Sequence, residues 1–171
     1  MKAVPKYAIL FAAIWCTAQL KLAAAQLEWL TDVQQALARA KAERKLVLLN
    51  FTGSDWCPWC IRLEREVFSK PEFAAYAKTN LVLVLVDFPR SKQLEKKQAE
   101  ANKALAQQHG IEGLPTLVVL DSDGKRLGAF GYKPGGPAKV IAELERLRSK
   151  AGSAAPVVPP PDQPPAEGNK D

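Results

Sequence analysis

Hydrophobic residues in the middle of the chain follow two alternating patterns. Three short, continuous apolar runs, at 45–51, 81–87 and 116–121, are typical of strands buried on both faces of a sheet. In the segments between them, apolar residues recur every three or four positions, as in helices that bury one face. The alternation predicts an α/β domain in which strands separated by helices run parallel, with right-handed crossovers.

Residues that begin and end helices give bounds for the helical segments. Thr31 or Asp32 is expected to cap the first helix, and Gly110 is a natural end for the fourth. The predicted helices are 29–44, one after Cys57, one from Pro71, 91–109, and one from Gly135-Gly136-Pro137. The apolar positions predicted to face inward are Trp29, Val33, Leu37, Ala40, Leu94, Ala101, Leu105, Val140, Leu144 and Leu147.

The last apolar run leads into a hairpin. "DSDG" at 121–124 is a tight turn, and "KRLGAFGY" at 125–132 supplies the strand that follows it. This final pair runs antiparallel, so the predicted sheet is mixed. The predicted architecture is therefore three-layer α/β/α around a mixed central sheet of four to five strands.

The amino-terminal segment 1–25 has the layout of a secretory signal peptide. Lys2 and Lys6 precede an apolar run at 7–18, and Ala23-Ala24-Ala25 supplies small residues at a cleavage site. The run is too short and too interrupted for a membrane span of about 20 residues. The segment predicts a periplasmic or secreted protein, with membrane attachment only if the segment is retained.

The carboxyl-terminal segment 151–171, "AGSAAPVVPPPDQPPAEGNKD", contains six of the thirteen prolines and no aromatic residue. Such a composition buries too little apolar surface to offset the entropy of ordering, so a disordered Pro-rich tail is predicted. Residues 26–150 are left as one domain of ordinary size.

Removal of a signal peptide changes both the cysteine count and the charge. Cys16 leaves with it, so Cys57 and Cys60 are the only two cysteines of the mature chain, too few for a disulfide-rich scaffold. Three lysines leave with no acid, which lowers the net charge from +6 to +3. The remaining basic residues are mixed with acids, as on solvated helix surfaces, and no nucleic-acid partner is predicted.

The two cysteines form a C-x-x-C motif just after a predicted strand. This places the Cys57 thiol at a helix N-terminus, where unpaired N–H groups and the helix dipole favour negative charge. Such sites lower a cysteine pKa from about 8.5 to roughly 3.5–7.5, and the thiolate is the form that attacks disulfides. Cys60 lies one turn further on, so Cys57 is predicted to attack and Cys60 to release the mixed disulfide.

Two other uses of the pair stay open. A zinc site needs about four ligands, and the mature chain adds one histidine, His109, far along the sequence at a predicted helix end. A purely structural disulfide across so short a loop would contribute little to stability. The redox reading is favoured, and neither a metal nor another cofactor is predicted.

The motif and a later proline together resemble a known family. "LVLLNFTGSDWCPWC" is followed about 55 residues later by "GLPTLVVLDSDGKRLGAFGY", and over residues 28–148 the chain resembles the thioredoxin superfamily, in particular its secreted bacterial members. The resemblance implies a thioredoxin fold and thiol–disulfide oxidoreductase activity, with Cys57 as the exposed nucleophile and Cys60 as the resolving thiol. It also implies that Pro115 follows a cis peptide bond beside the cysteines.

The resemblance further implies a substrate surface and redox partners. It implies that Leu114, just before Pro115, pairs with an extended segment of the substrate. Trp56, Pro58 and Trp59 flank or separate the thiols, and the two tryptophans either pack or form an apolar platform for substrates; the predicted substrate-binding residues are therefore Trp56, Pro58, Trp59, Leu114 and Pro115. The expected partners are protein thiols and disulfides and an upstream redox protein. A thioredoxin-like binding module, or a metal carrier without turnover, is the alternative function; the intact C-x-x-C motif argues against it.

The chain departs from thioredoxin at Asn50, in a "TGSD" link that is one residue longer than usual, and at the dipeptide between the cysteines. Asn50 stands where thioredoxins commonly have a buried aspartate, and an asparagine cannot take a proton from Cys60; Asp55 is near in sequence but expected to be exposed. Pro58-Trp59 replaces Gly-Pro and resembles glutaredoxins and periplasmic oxidases, whose reduction potentials lie about 40–150 mV above that of thioredoxin. The dipeptide predicts a more oxidising protein, while the direction of electron flow stays open.

Overall fold

The structure of the protein is a computed structural model that describes residues 27–152. The predicted signal peptide lies outside the described residues, as does the predicted tail from residue 153 onward. Within the described range, no helix is both long and apolar enough to cross a bilayer.

Five strands and five α-helices lie along this range. They are β1 (Trp29–Leu30), α1 (Val33–Glu43), β2 (Leu46–Thr52), α2 (Pro58–Leu63), which continues as a π-helical turn (Glu64–Phe68), α3 (Pro71–Asn80), β3 (Leu81–Asp87), α4 (Lys96–Gln108), β4 (Thr116–Leu120), β5 (Arg126–Gly131) and α5 (Gly136–Gly152). The sheet order is β1-β3-β2-β4-β5, with β1, β3 and β2 parallel and β4 and β5 each antiparallel to its neighbour. The predicted mixed sheet is confirmed.

The sheet separates two hydrophobic cores because successive strand residues point to opposite faces. Along β2, Leu46 and Leu48 pack with α2, α3 and α5, while Val47, Leu49 and Phe51 pack with α1 and α4. The predicted inward residues of α5, Val140, Leu144 and Leu147, are fully buried in the first core. The three-layer prediction is therefore confirmed.

The expectation that every strand separated by a helix runs parallel is wrong for β4. Thr116 at the start of β4 pairs with Phe51 near the carboxyl end of β2, so β4 runs antiparallel. The cause is the placement of α4. Its Asn102 donates to the Asp87 carbonyl at the carboxyl end of β3, and His109 at its end packs against Phe51. The helix thus keeps the chain at that edge, and β4 starts where β3 ended.

The predicted helix at 29–44 is wrong in its first residues. Trp29 and Leu30 form a short strand that pairs with Leu83 and Val84 of β3, and the helix begins at Val33. Asp32 is the N-cap, and its side chain accepts from two backbone N–H groups of the first turn. Apolar spacing alone cannot distinguish a short strand from the first turn of a helix at these two residues, because whether a sheet edge is free to pair with them depends on the tertiary structure.

The predicted helix at 91–109 also begins later, at Lys96. Leu94 precedes it, and the predicted inward Ala101 is exposed. The buried residue of α4 is Asn102, which is 4% exposed. A polar residue is tolerated there because its amide donates to the Asp87 carbonyl at 2.8 Å and its oxygen accepts from Gln98 at 2.8 Å.

Candidate active site

Cys57 and Cys60 form a disulfide at the start of α2. Cys57 is the N-cap of the helix, Pro58 is in its first turn, and Cys60 lies one turn in, with a Cα–Cα distance of 5.2 Å between the cysteines. The predicted helix N-terminal position of Cys57 is confirmed. Its predicted exposure is wrong for this disulfide-bonded chain: both cysteines are 4% exposed, because each sulfur is covered by its partner and by neighbouring backbone.

Backbone N–H groups point at both sulfurs. The Cys60 N–H donates to Cys57 Sγ at 3.3 Å, and the Gly53 N–H donates to Cys60 Sγ at 3.4 Å. Hydrogen bonds of this kind favour the charged form of an acceptor, so the site is arranged to stabilise thiolates when the pair is reduced. Loop 53–56 supplies one of these donors and α2 the other.

The loop before β4 brings a backbone acceptor beside the nucleophile. The Leu114–Pro115 peptide bond is cis, as the resemblance implied. Pro115 is buried, and the Leu114 carbonyl oxygen lies 3.7 Å from Cys57 Sγ. Leu114, Pro115 and the cysteines are thus adjacent although 57 residues separate Cys57 from Leu114.

An apolar groove lies next to the disulfide. It is lined by Trp59, Leu114, Pro115, Tyr132 and Pro134. Trp59 is 53% exposed and stacks on Tyr132, with ring centroids 5.5 Å apart. Trp59, Leu114 and Pro115 were predicted from the sequence to bind substrate, whereas Tyr132 and Pro134 were not. These two residues follow β5 and reach the groove only through the β4–β5 pairing.

Tyr132 is held in place by two charged side chains of the helix that begins at the cysteines. Its hydroxyl donates to Glu66 at 2.5 Å, and Arg62 donates to the same carboxylate at 2.7 Å. The Arg62 guanidinium lies 5.5 Å from the Tyr132 ring centroid and 5.8 Å from that of Trp59. These contacts lower the pKa of Glu66, with the Tyr132 hydrogen bond as the largest cause. The groove therefore has one rigid aromatic wall.

Trp56, predicted to bind substrate, is half-buried and contacts the loop after β3. Its indole N–H donates to the Phe88 carbonyl at 2.7 Å, and the Arg90 guanidinium lies 3.7 Å from its ring centroid. Gly53 packs against the ring so closely that a Cβ there would lie 2.6 Å from it. Pro58, by contrast, is exposed beside Trp59. The substrate roles of Trp56 and Pro58 stay predictions.

Asp55 links the active-site loop to the same segment. It accepts from the backbone N–H groups of Arg90 and Ser91 and from the Ser91 hydroxyl. These hydrogen bonds, the Ser91 hydroxyl first among them, lower the pKa of Asp55 to about 2. As predicted, Asp55 is exposed.

Asp55→Asn is expected to make stability less dependent on pH in the acid range. Because the folded-state pKa of Asp55 lies below its unfolded value, its contribution is present above about pH 4 and is lost as pH falls toward 2. Urea unfolding should show a lower midpoint for the variant at pH 7 and a shrinking difference from the wild type on acidification. Exposed Glu100→Gln is the control, and an equal pH trend in both variants would contradict the assignment.

Asn50 is buried at the position where a carboxylate base was expected from the resemblance. It is 4% exposed, and its Oδ1 has no hydrogen-bond partner among the described residues. The buried carboxylate of this region is instead Asp87, which accepts from the Ser54 N–H and hydroxyl. Sequence reasoning missed Asp87, because its burial follows from the β2–β3 pairing. Within residues 27–152, no cluster of three or more candidate metal ligands occurs.

The fold and the site together define a class of protein. A disulfide-forming pair at a helix start, beside a cis-proline loop in this sheet order, defines a thiol–disulfide oxidoreductase with a thioredoxin fold. The chain belongs to the family described as thioredoxin-like domain, whose family model matches residues 33–147.

Individual relatives agree with this assignment. The chain is 37% identical over 124 residues to the disulfide bond reductase DsbH of Chlamydia pneumoniae, a match that covers 72% of this chain and 74% of the relative. It is 30% identical over 110 residues to the thioredoxin-related protein DsbJ of the same organism, covering 63% of this chain and 32% of that relative. A solved DsbH oxidoreductase structure superposes with a TM-score of 0.69 at 34% identity, over 77% of this chain and 92% of the other.

Proposed function

We propose that the chain is an exported reductase of protein disulfides, in which Cys57 attacks and Cys60 resolves. The disulfide-bonded pair at the start of α2, beside the Leu114 carbonyl, is the observation that carries this proposal. The similarity to a protein named disulfide bond reductase supports the direction. The signal-like pattern at 1–25 supports export, with residues 26–150 as the mature domain and 151–171 as its tail.

The reaction divides into two exchanges. The Cys57 thiolate attacks one sulfur of a client disulfide; a Cys57–client S–S bond forms, the client bond breaks, and the other client sulfur leaves as a thiolate. Cys60 then attacks Cys57 Sγ, which forms the internal disulfide and releases the second client thiolate. The client gains two electrons, and an upstream redox protein must return two electrons to the chain after each turnover.

The Pro58-Trp59 dipeptide makes the reduction potential the decisive measurement. It predicts a potential above that of thioredoxin, whereas the named relative is a reductase. Equilibration of the pair with glutathione buffers, read by alkylation and mass, gives the value directly. We expect a potential below about −200 mV, as suits a donor of electrons to clients. A value near the −120 mV or so of a strong periplasmic oxidant would contradict the reductase direction.

The apolar groove is proposed to bind an extended client segment beside the attacked disulfide. Trp59 offers exposed apolar surface beside Pro115, and the Leu114 carbonyl is placed to accept from a client backbone N–H. Extended peptides are recognised in this way, by backbone hydrogen bonds together with apolar contacts.

Trp59→Ala is expected to lower kcat/KM for a protein disulfide such as insulin by about tenfold, because exposed aromatic residues dominate such contacts. The rate with a small disulfide, which cannot span the groove, should change by less than about twofold. The matched control is Ile61→Ala, since Ile61 is also exposed on α2 but two positions on, and so on the far side of the helix. Equal losses for both substrates would contradict the groove's role.

A further inference from the structure

Asp87 is a buried carboxylate that the exchange reaction described above does not use. It lies at the carboxyl end of β3 and is 4% exposed. Its Oδ1 accepts from the Ser54 backbone N–H at 3.0 Å, and its Oδ2 accepts from the Ser54 hydroxyl at 2.7 Å. Lys92 Nζ lies 3.6 Å from Oδ2, and Arg90 lines the same cavity. Buried carboxylates are costly unless hydrogen-bonded, so Asp87 and Ser54 hold each other in place.

Ser54 follows Gly53 in the chain, and Gly53 is the residue that contacts Cys60. The Gly53 N–H donates to Cys60 Sγ at 3.4 Å. Gly53 has no side chain, so its orientation is fixed through its backbone: its carbonyl accepts from the Cys57 N–H at 2.9 Å, and its two chain neighbours are each held in turn. Thr52 is held in β2, where its carbonyl accepts from the Phe88 N–H at 2.9 Å, and Ser54 is held by Asp87. Asp87 therefore controls the Ser54 side of the segment that carries this donor.

We propose that Asp87 is a positioning residue for Cys60: it fixes Ser54, and through Ser54 the Gly53 N–H that stabilises the Cys60 thiolate. In the resolving step, this thiolate attacks Cys57 Sγ; the Cys57–Cys60 bond forms, the bond from Cys57 to the client breaks, and the electron pair leaves with the client sulfur. The inference rests on the proposed roles of the two cysteines. It explains how Cys60 is supported although Asn50 cannot take its proton.

Reaction of the reduced mature chain, which starts at residue 26 and lacks Cys16, with 5,5′-dithiobis(2-nitrobenzoate) in a stopped-flow instrument separates the two steps. The first burst of coloured thiolate reports attack by Cys57, and the second reports attack by Cys60 on the mixed disulfide. Asp87→Ala is expected to slow the second phase about tenfold, as for the loss of one hydrogen bond to a charged group, with the first phase within about twofold. Asp87→Asn keeps an acceptor for the Ser54 N–H and should recover most of the rate.

Three further variants complete the test. Ser54→Ala removes the hydroxyl that donates to Asp87 but keeps the Ser54 N–H that does so. Because Asp87 itself is unchanged, a folding defect caused by losing its carboxylate does not arise in this variant. Its second phase should slow about threefold. Lys92→Met removes the nearby cation and should leave both phases unchanged. Asp121→Ala is the matched control, because Asp121, like Asp87, accepts two hydrogen bonds, here from backbone N–H groups at 3.0 and 2.9 Å, but lies in the turn between β4 and β5.

The outcomes are distinct. Equal slowing of both phases, an unchanged second phase in folded Asp87 and Ser54 variants, or equal losses in Asp87→Asn and Asp87→Ala would overturn the positioning role. Cys60→Ser tests the underlying assignment separately. If that variant still released the second thiolate, the proposed function itself would fail, whatever the Asp87 variants showed.

Discussion

Cys57→Ser is expected to reduce the disulfide exchange rate to that of the uncatalysed reaction. A serine hydroxyl at the N-cap of α2 keeps the helix start intact, since serine is a good N-cap residue. It is not ionised near neutral pH, so it cannot attack a disulfide. Insulin reduction with dithiothreitol as the electron source measures the loss, and far-UV circular dichroism checks the fold.

Cys60→Ser gives the complementary result and serves as the control. Its Cys57 can still attack, but nothing resolves the product, so a covalent adduct of one client per chain should accumulate and be visible by non-reducing electrophoresis. Equal activity of the wild type and Cys57→Ser would instead favour a binding module in which the disulfide is incidental. An adduct formed by Cys57→Ser and absent from Cys60→Ser would reverse the assigned roles.

Gly53→Ala is expected to destabilise the fold by about 1–3 kcal/mol and to slow exchange. A Cβ at Gly53 would lie 2.6 Å from the Trp56 ring. That ring cannot move aside freely, because its N–H is bonded to the Phe88 carbonyl and the Arg90 guanidinium lies over its face. Relief of the clash must shift Trp56 or the Gly53 backbone, and the latter carries the N–H that donates to Cys60.

Gly113→Ala is the matched control for this substitution. A Cβ at Gly113 would meet no atom within 4 Å, although Gly113 also lies in a loop next to the active site. The free energy of unfolding should change by less than about 0.5 kcal/mol, as for ordinary surface changes. Urea unfolding followed by tryptophan fluorescence measures both variants. Equal stability losses would show that glycine is needed for backbone freedom and not for the space beside Trp56.

The main features of the fold were predictable because burial patterns are local. The runs at 46–52 and 81–87 are buried along nearly their whole length, so their apolar sequence alone marks them as central strands. The direction of β4 and the strand at Trp29–Leu30 were not predictable, since both depend on where a distant element lies. Asn102 shows the same limit: its burial depends on a carbonyl at the end of β3.

The site was predictable where its chemistry depends on residues of short sequence motifs. The C-x-x-C spacing placed both sulfurs, and the resemblance placed Pro115 beside them. Tyr132 and Asp87 were missed, because no motif assigns either of them a chemical role and each reaches the site through strand pairing. For Trp56 the motif suggested more than the structure supports. Its position next to the cysteines predicted contact with the client, whereas its indole N–H is hydrogen-bonded to the Phe88 carbonyl.

The short strand β1 bears on self-association. In the part of the chain that the structure describes, β1 pairs with only two of the seven residues of β3 on that side. An incompletely paired, apolar strand edge is a template on which another chain can add. β1 covers part of this edge, and Trp29 anchors β1 by packing edge-to-face on Phe68, with ring centroids 5.1 Å apart. Removal of the chain through Leu30 would expose the edge of β3. Preparations truncated in this way are therefore expected to aggregate more readily.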